Sequence, residues 1–191
     1  MGSQLLQCGS SFSTSPEDRG PGAEVIYLDR HRIQCGAASA LSSFKLVSDP
    51  DGFMHYEYSC LPIPGRAGPA IDLTTAAVGS AGTGSLLNQT VKCSPGSAIT
   101  DFQLVRPSPT TIRYKYSCLP SLSLGNCTAQ TTEPNDLYSN QIPYLDRHLV
   151  TCQPAEVLSS FELKSPKASK IQYKYTCCKL RPRANTVVKT L

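Results

Sequence analysis

A segment bounded by two cysteines occurs three times in this chain and limits the fold more than any other feature. The copies are Cys35 to Cys60 (CGAASALSSFKLVSDPDGFMHYEYSC), Cys93 to Cys118 (CSPGSAITDFQLVRPSPTTIRYKYSC) and Cys152 to Cys177 (CQPAEVLSSFELKSPKASKIQYKYTC). Each spans the same 25 positions, and successive copies are offset by 58 and 59, so they align without a gap. Leu41/Ile99/Leu158, Phe44/Phe102/Phe161 and Leu46/Leu104/Leu163 recur, followed by Tyr56/Tyr114/Tyr173, Tyr58/Tyr116/Tyr175 and the closing cysteine. All are residues that pack a core, and none is a nucleophile or a general base.

Periodicity gives the element type. Ile112, Tyr114, Tyr116 and Cys118 alternate with Arg113, Lys115 and Ser117, the period of a strand with one buried face. Ile33 and Cys35, Val91 and Cys93, and Val150 and Cys152 alternate in the same way. Each copy therefore reads as three short strands with the cysteines on the outer two. No period of 3.6 residues is sustained, which argues against helices of any length. The expected fold is all-β, with three homologous disulfide-stapled repeats of short antiparallel strands. Two arrangements satisfy this: a pseudo-threefold prism or trefoil, in which the Phe, Leu and Tyr faces meet on one axis, or a linear array of β-repeats.

Aromatics are only 7% of the 191 residues, so apolar burial per repeat is modest and the nine cysteines make up the deficit. The fixed span pairs Cys35 with Cys60, Cys93 with Cys118 and Cys152 with Cys177. Closing such a loop is worth roughly 3 to 4 kcal/mol in the chain-entropy model. Zinc needs close CxxC or HxxxH pairs, which do not occur, so no metal and no cofactor is expected. Disulfides imply an oxidising, extracellular compartment. Of the remaining three cysteines, Cys8 and Cys127 precede Cys35 and Cys152 by 27 and 25 positions and look equivalent. Cys127 is paired with Cys178, which leaves Cys8 to bond outside the chain. The first residues carry no basic and apolar signal pattern, and no stretch has the length of a membrane helix, so membrane insertion is not expected.

The chain divides into a lead-in (1–22), repeat 1 (23–62), a connector (63–85), repeat 2 (86–120), a second connector (121–143), repeat 3 (144–178) and a tail (179–191). The Gly, Ala, Pro and Thr of the connectors favour extended or flexible backbone with little to bury. The TVVKTL end of the tail has strand propensity and suits an exposed sheet edge.

An opening Cys, a short turn, an apolar-x-x-Phe-x-Leu strand and a closing strand ending in Tyr-x-Cys or Cys-Cys resemble the repeat of dermatopontin and its relatives. The third repeat, with Tyr175, Cys177 and Cys178, carries the likeness best. Cys93, Pro95 and Gly96 are similar, more loosely, to the Cys-Pro-Gly turn of the vitelline membrane outer layer proteins. The likeness covers the three repeats and not the connectors, and tryptophan is absent. It implies a matrix or surface-coat setting with non-catalytic binding.

The sharpest local motif is Tyr27-Leu28-Asp29-Arg30-His31, repeated verbatim as Tyr144-Leu145-Asp146-Arg147-His148, where repeat 2 has Ser85-Leu86-Leu87-Asn88-Gln89. Strand alternation would put Asp29 and His31, and Asp146 and His148, on one face, a spacing that suits a metal or a base pair. The middle repeat dispenses with both residues, so the structural reading has Asp and Arg tying a strand entry to the neighbouring connector. The ligand reading has Arg30 and Arg147 holding a carbohydrate or carboxylate. Lys164, Lys167, Lys170, Lys174, Lys179, Arg181, Arg183 and Lys189 follow the last acid, Glu162. They form a solvated face or an attraction for acidic glycans or an acidic neighbour. Asn88 and Asn126 satisfy the N-linked acceptor pattern. The six repeat tyrosines are read as core, with hydroxyls at the rim.

These features predict a non-catalytic, secreted or cell-surface glycoprotein, a structural or adhesive building block of a matrix, coat or filament. Its partners would be other copies of itself, matrix or surface proteins, or acidic glycans, and not nucleic acid. The competing expectation is a lectin-like module that uses the Arg30 and Arg147 edges.

Overall fold

A computed structural model describes residues 9–20, 22, 24–63, 68–80, 82–120, 122–137 and 142–181. Each repeat, taken together with the lead-in or connector before it, contributes five strands. Repeat 1 has β1 (Ser10–Ser13), β2 (Glu17–Asp18), β3 (Arg32–Gln34), β4 (Ser39–Ser48) and β5 (Phe53–Pro62). Repeat 2 has β6 (Ile71–Thr74), β7 (Val78–Gly79), β8 (Thr90–Lys92), β9 (Ala98–Ser108) and β10 (Thr111–Leu119). Repeat 3 has β11 (Leu124–Thr131), β12 (Asn135–Asp136), β13 (Leu149–Thr151), β14 (Glu156–Lys164) and β15 (Lys170–Leu180). The all-β class is as the alternation predicts, with three antiparallel sheets of five strands.

The three sheets are not self-contained, because each opening strand is given away. The first sheet runs β1-β5-β4-β13, the second β6-β10-β9-β3 and the third β11-β15-β14-β8. Repeat 1 thus lends β3 to repeat 2, repeat 2 lends β8 to repeat 3, and repeat 3 lends β13 back to repeat 1. The register is the same each time: Ile33 faces Phe102, Val91 faces Phe161 and Val150 faces Phe44. The return of β13 to β4 closes the ring and excludes a linear array.

A one-residue bulge makes the exchange fit. Leu41 and Phe44 both point inward although they are three apart, because the register shifts between Leu41 and Ser43. The same shift occurs between Leu158 and Ser160, and opposite Ser117 and Cys118. An extra residue in one strand of a pair leaves its carbonyl unpaired in the ladder. Here the carbonyls of Ser42, Thr100 and Ser159 accept the N–H groups of Cys152, Cys35 and Cys93, each at 2.9 Å. Side-chain hydroxyls of the same three residues hold backbone carbonyls nearby.

Phe44, Phe102 and Phe161 meet on the axis, with ring centroids 4.8 to 5.1 Å apart. Around them stands a second ring in which each tyrosine touches its own repeat's Phe and the next one. Tyr56 lies against Phe44 and Phe102, Tyr114 against Phe102 and Phe161, and Tyr173 against Phe161 and Phe44. Edge-to-face contacts of this kind suit the aromatic quadrupole. The hydroxyls of Tyr56, Tyr114 and Tyr173 are buried and not at the rim. Desolvation pushes their pKa values up, and the neighbouring Tyr173 pushes Tyr56 and Tyr114 further. Tyr58 and Tyr116 instead reach the carbonyls of Gln34 and Lys92 across the seams, each at 3.2 Å.

Disulfides join Cys35 to Cys60, Cys93 to Cys118, Cys152 to Cys177 and Cys127 to Cys178. The first three lie within one repeat in sequence but bridge two sheets in space, since each opening strand belongs to the next sheet. The fourth joins directly opposed residues of β11 and β15. Ser10 faces Cys60 whereas Thr128 faces Cys177, so the counterpart of Cys127 in repeat 1 is Gly9 and not Cys8. Cys8 itself, and the tail from residue 182, lie outside the described residues.

Of the extended or flexible backbone expected of the connectors, the described parts take the extended form, with little buried, and pair as strands. Ile71–Thr74 and Val78–Gly79, and Leu124–Thr131 and Asn135–Asp136, are edge strands, as are Ser10–Ser13 and Glu17–Asp18 of the lead-in. They pair through backbone groups, so their small and polar side chains are no obstacle.

Two results are expected from these contacts. Phe102→Ala should cost about 3 to 5 kcal/mol of unfolding free energy, and Phe44→Ala and Phe161→Ala similar amounts. Phe12→Ala, at a side chain 43% exposed on an edge strand, should cost far less. Urea denaturation measures all four, and unequal losses among the axial three would contradict the shared axis. In the turns after the opening cysteines, Ala38, Gly96 and Ala155 all have positive φ, of 54°, 76° and 63°. A β-carbon is disfavoured there, so Ala38→Gly and Ala155→Gly should each raise stability by about 0.5 to 1 kcal/mol in the same assay.

Candidate functional site

The repeated pentapeptide is not a strand. Val25–Arg30 and Ile142–Arg147 are six-residue 3₁₀ helices, matched in repeat 2 by Thr83–Asn88. Val25 and Leu28, and Ile142 and Leu145, plug the core from one side. The i to i+3 geometry turns Asp29 and His31 to different surroundings, so they form no shared face.

Both histidines are buried, at 2% and 1% exposure. His31 Nδ1 lies 3.2 Å from Thr14 Oγ1 and His148 Nδ1 lies 2.9 Å from Thr132 Oγ1. Each threonine oxygen in turn accepts the backbone N–H of an axial tyrosine, Tyr56 at 2.9 Å and Tyr173 at 3.0 Å. In repeat 2 the same slot holds Gln89. Its Oε1 accepts from Thr75, whose Oγ1 accepts from Tyr114 N–H at 2.9 Å. An amide oxygen only accepts, so in this slot the threonine is the donor, and the same arrangement in the other two would make Nδ1 of each histidine the acceptor. The Nε2 atoms of His31 and His148 find no hydrogen-bond partner, while each ring stands edge-on to its tyrosine, with centroids 6.0 and 5.9 Å apart. These histidines are clamps that tie an edge strand to the core; alternation places them correctly on the buried side with Ile33 and Val150 and fails only in setting Asp29 and Asp146 beside them.

The acids and arginines of the motif tie neighbours together, though not through connectors alone. Asp29 Oδ2 accepts from Arg106 Nε at 2.6 Å, and its carbonyl accepts from Gln103 at 2.8 Å, both on β9 of the next repeat. Burial pushes the Asp146 carboxyl above its usual range, against the pull of Arg147 and Lys45. Arg30 does reach the lead-in, donating to the Asp18 carbonyl at 2.7 Å. The Arg30 and Arg147 guanidinium groups lie over Tyr27 and Tyr144 at 4.7 and 4.8 Å, and both arginines are exposed.

A groove of mixed polar and apolar lining on the outer face of the second sheet carries residues that the sequence did not single out. It encloses about 1010 Å³ beside Arg32, Gln34, Asp72, Asp101 and Ser117. Ser117 Oγ donates to Asp72 at 2.7 Å and stands 3.2 Å from Asp101, which also pairs with Arg32. The signal in the sequence is that Asp101 stands where the other two repeats have Ser43 and Ser160, a departure from the shared pattern. Ser117 Oγ is held between two carboxylates, and no histidine is among the described residues that line the groove. Among the described residues no group of three or more His, Cys, Asp or Glu side chains is placed to hold a metal ion.

The basic residues of repeat 3 fall on its hairpin and outer face. Lys164 pairs with Glu162 at 2.9 Å and Lys170 with Asp136 at 2.6 Å. Burial would raise the Glu162 pKa, but hydrogen bonds from Lys164 and Thr90 outweigh it and hold the carboxyl below its usual range. Arg183 and Lys189 lie outside the described residues. Asn126 is exposed on β11, and Asn88 ends the 3₁₀ helix of repeat 2 in the position of Arg30 and Arg147. Among the described residues no helix is long and apolar enough to cross a membrane.

No family model matches this chain, and neither a curated protein nor a solved structure matches it.

The histidine slots predict acid lability. Burial lowers the His31 pKa from 6.5, and burial together with Arg147 takes His148 down to about 4. Between those values the unfolded chain holds more protons than the folded one. The stabilisation is therefore complete above about pH 6.5 and is lost as the pH falls through about 4. The loss from His148 alone is on the order of 3 kcal/mol. Replacing both histidines by the glutamine of the third slot (H31Q/H148Q) should flatten the slope of unfolding free energy between about pH 6.5 and 4.5. An unchanged slope would place the acid sensitivity elsewhere.

Proposed function

We propose that this protein is a non-catalytic, secreted or cell-surface structural building block that works within an assembly. The observation that carries the reading is the fate of the repeated residues. Phenylalanines and tyrosines fill the axis, cysteines staple the seams between sheets, and His31, His148 and Asp29 are spent on internal ties. Four disulfides suit an oxidising compartment, and the resemblance of the repeats to dermatopontin points to a matrix or coat. In this reading Asn88 and Asn126 carry glycans, and the short edge strands and the tail meet neighbouring molecules.

A lectin-like function is the second reading, because the Arg30 and Arg147 guanidinium groups are presented on tyrosine rings at the surface. Such a ledge suits the carboxylate of an acidic sugar. The two readings separate by experiment on the oxidised full chain. Multimers or filaments that grow with concentration, seen by sedimentation and electron microscopy, are the expected result. A chain that stays monomeric, yet binds an acidic glycan saturably and loses that binding in R30A/R147A, would overturn the building-block reading in favour of the lectin.

A further inference from the structure

We propose that two copies of this chain associate end to end, through the β4–β5, β9–β10 and β14–β15 turns, about a twofold axis perpendicular to the pseudo-threefold axis. The proposal rests on the building-block reading and names the partner and the surface.

Three equivalent strand exchanges that close on themselves are related by rotation alone, with no rise along the axis. The turns at Asp49–Gly52, at 109–110 and at 165–169 therefore crown the same end of the molecule. Their charges differ. The first turn carries Asp49 and Asp51, with Glu17 and Asp18 of β2 beside it, against two cations, Arg19, which lies along Gly52, and Arg30, which donates to the Asp18 carbonyl. Asp146, Arg147 and Lys45 at the base of that corner sum to one positive charge and leave its sign negative. The second turn, Pro107-Ser108-Pro109-Thr110, is neutral, and Arg106 next to it is paired with Asp29. The third carries Lys164, Lys167 and Lys170 against Glu162 and Asp136. Asp51 and Lys167 are exposed and in no ion pair among the described residues.

A three-cornered end can meet its own copy about a twofold axis in three ways, one through each corner. An axis through the first corner puts acid on acid, and one through the third puts base on base. The axis through the second sets each acidic corner on the partner's basic corner and the neutral turns on each other. Like charges brought together are penalised and unlike ones favoured, so the pattern selects one of the three, and the contact is self-complementary as a twofold interface must be. Prolines at 50, 107, 109 and 166 stiffen the turns and lower the entropy cost of docking. Phe53, 42% exposed beside the acidic turn, supplies apolar area. An interface of three turns is small, so association is of the weak, salt-sensitive class.

Sedimentation equilibrium over a concentration series, in a Cys8→Ser background, tests this. Dimerisation is expected at about 0.01 M ionic strength and should fade by about 1 M. Reversing the acidic corner (E17K/D51K) or the basic one (K167E) should each weaken self-association roughly tenfold. Asp49 is left in place because its carboxylate accepts Phe53 N–H at 2.9 Å. The two variants mixed should dimerise again, since each then offers the corner the other lacks. Failure of the mixture to recover association, or a dimer indifferent to salt and to both reversals, would overturn the end-to-end contact. Assembly that persists through other surfaces in that case would leave the building-block reading standing, whereas a chain monomeric under every condition would remove both.

Discussion

Everything in this molecule hangs on three phenylalanine rings that share one axis. A sheet of five short strands, two of them only two or three residues long, buries too little alone to offset the entropy of ordering it. Bringing Phe44, Phe102 and Phe161 together makes one core from three faces that would each be insufficient. The tyrosine ring adds direction, because Tyr56, Tyr114 and Tyr173 each lean on the next repeat's phenylalanine in the order in which the opening strands are passed on. Packing and strand exchange thus have the same sense of rotation, and neither is satisfied in an isolated repeat.

Strand exchange also explains what the disulfides accomplish. If each repeat were a closed sheet, a bridge between its first and last strands would only brace what the hydrogen bonds already hold. Because β3, β8 and β13 sit in the neighbouring sheets, the same three bridges cross the three seams. Each is accompanied by the cysteine N–H bonded to a bulge carbonyl of the next repeat, and in the first two seams by a tyrosine hydroxyl on the carbonyl just before the cysteine. The bulge is therefore a connecting feature. It frees the carbonyl of Ser42, Thr100 or Ser159 at the place where the incoming strand ends.

The strands, the core positions and the in-repeat disulfide pairs were legible in the sequence because each follows from a local period or a fixed span. The exchange was not, since a three-residue strand looks the same wherever it docks. A trace of the bulge was present: Leu41 and Phe44 are three apart, a spacing that simple alternation cannot bury on one face. The edge strands in the connectors escaped notice for a different reason. Their partners see only backbone, so segments such as TAQT or IDLT need no apolar period. Six-residue 3₁₀ helices are too short to establish one, and the pentapeptide that contains Asp29 and His31 was read with the wrong geometry as a result.

The middle repeat was the best guide to the candidate site, and for a physical reason. A slot that accepts His31, Gln89 and His148 alike needs an acceptor for a threonine hydroxyl, and a metal ligand or a base would not tolerate the amide. Triplication thus supplies a comparison within one chain: what all three repeats keep serves the axis and the seams, and what they exchange freely is bound only by local hydrogen bonding. The charged turns fall in neither group. Their aspartates and lysines contribute little to the core, yet they divide by sign between corners of one end, a pattern that folding of a single copy does not require. In the proposed end-to-end pairing such a surface asymmetry acts outside the molecule, where the sign of each corner, unlike its packing, decides which neighbour fits.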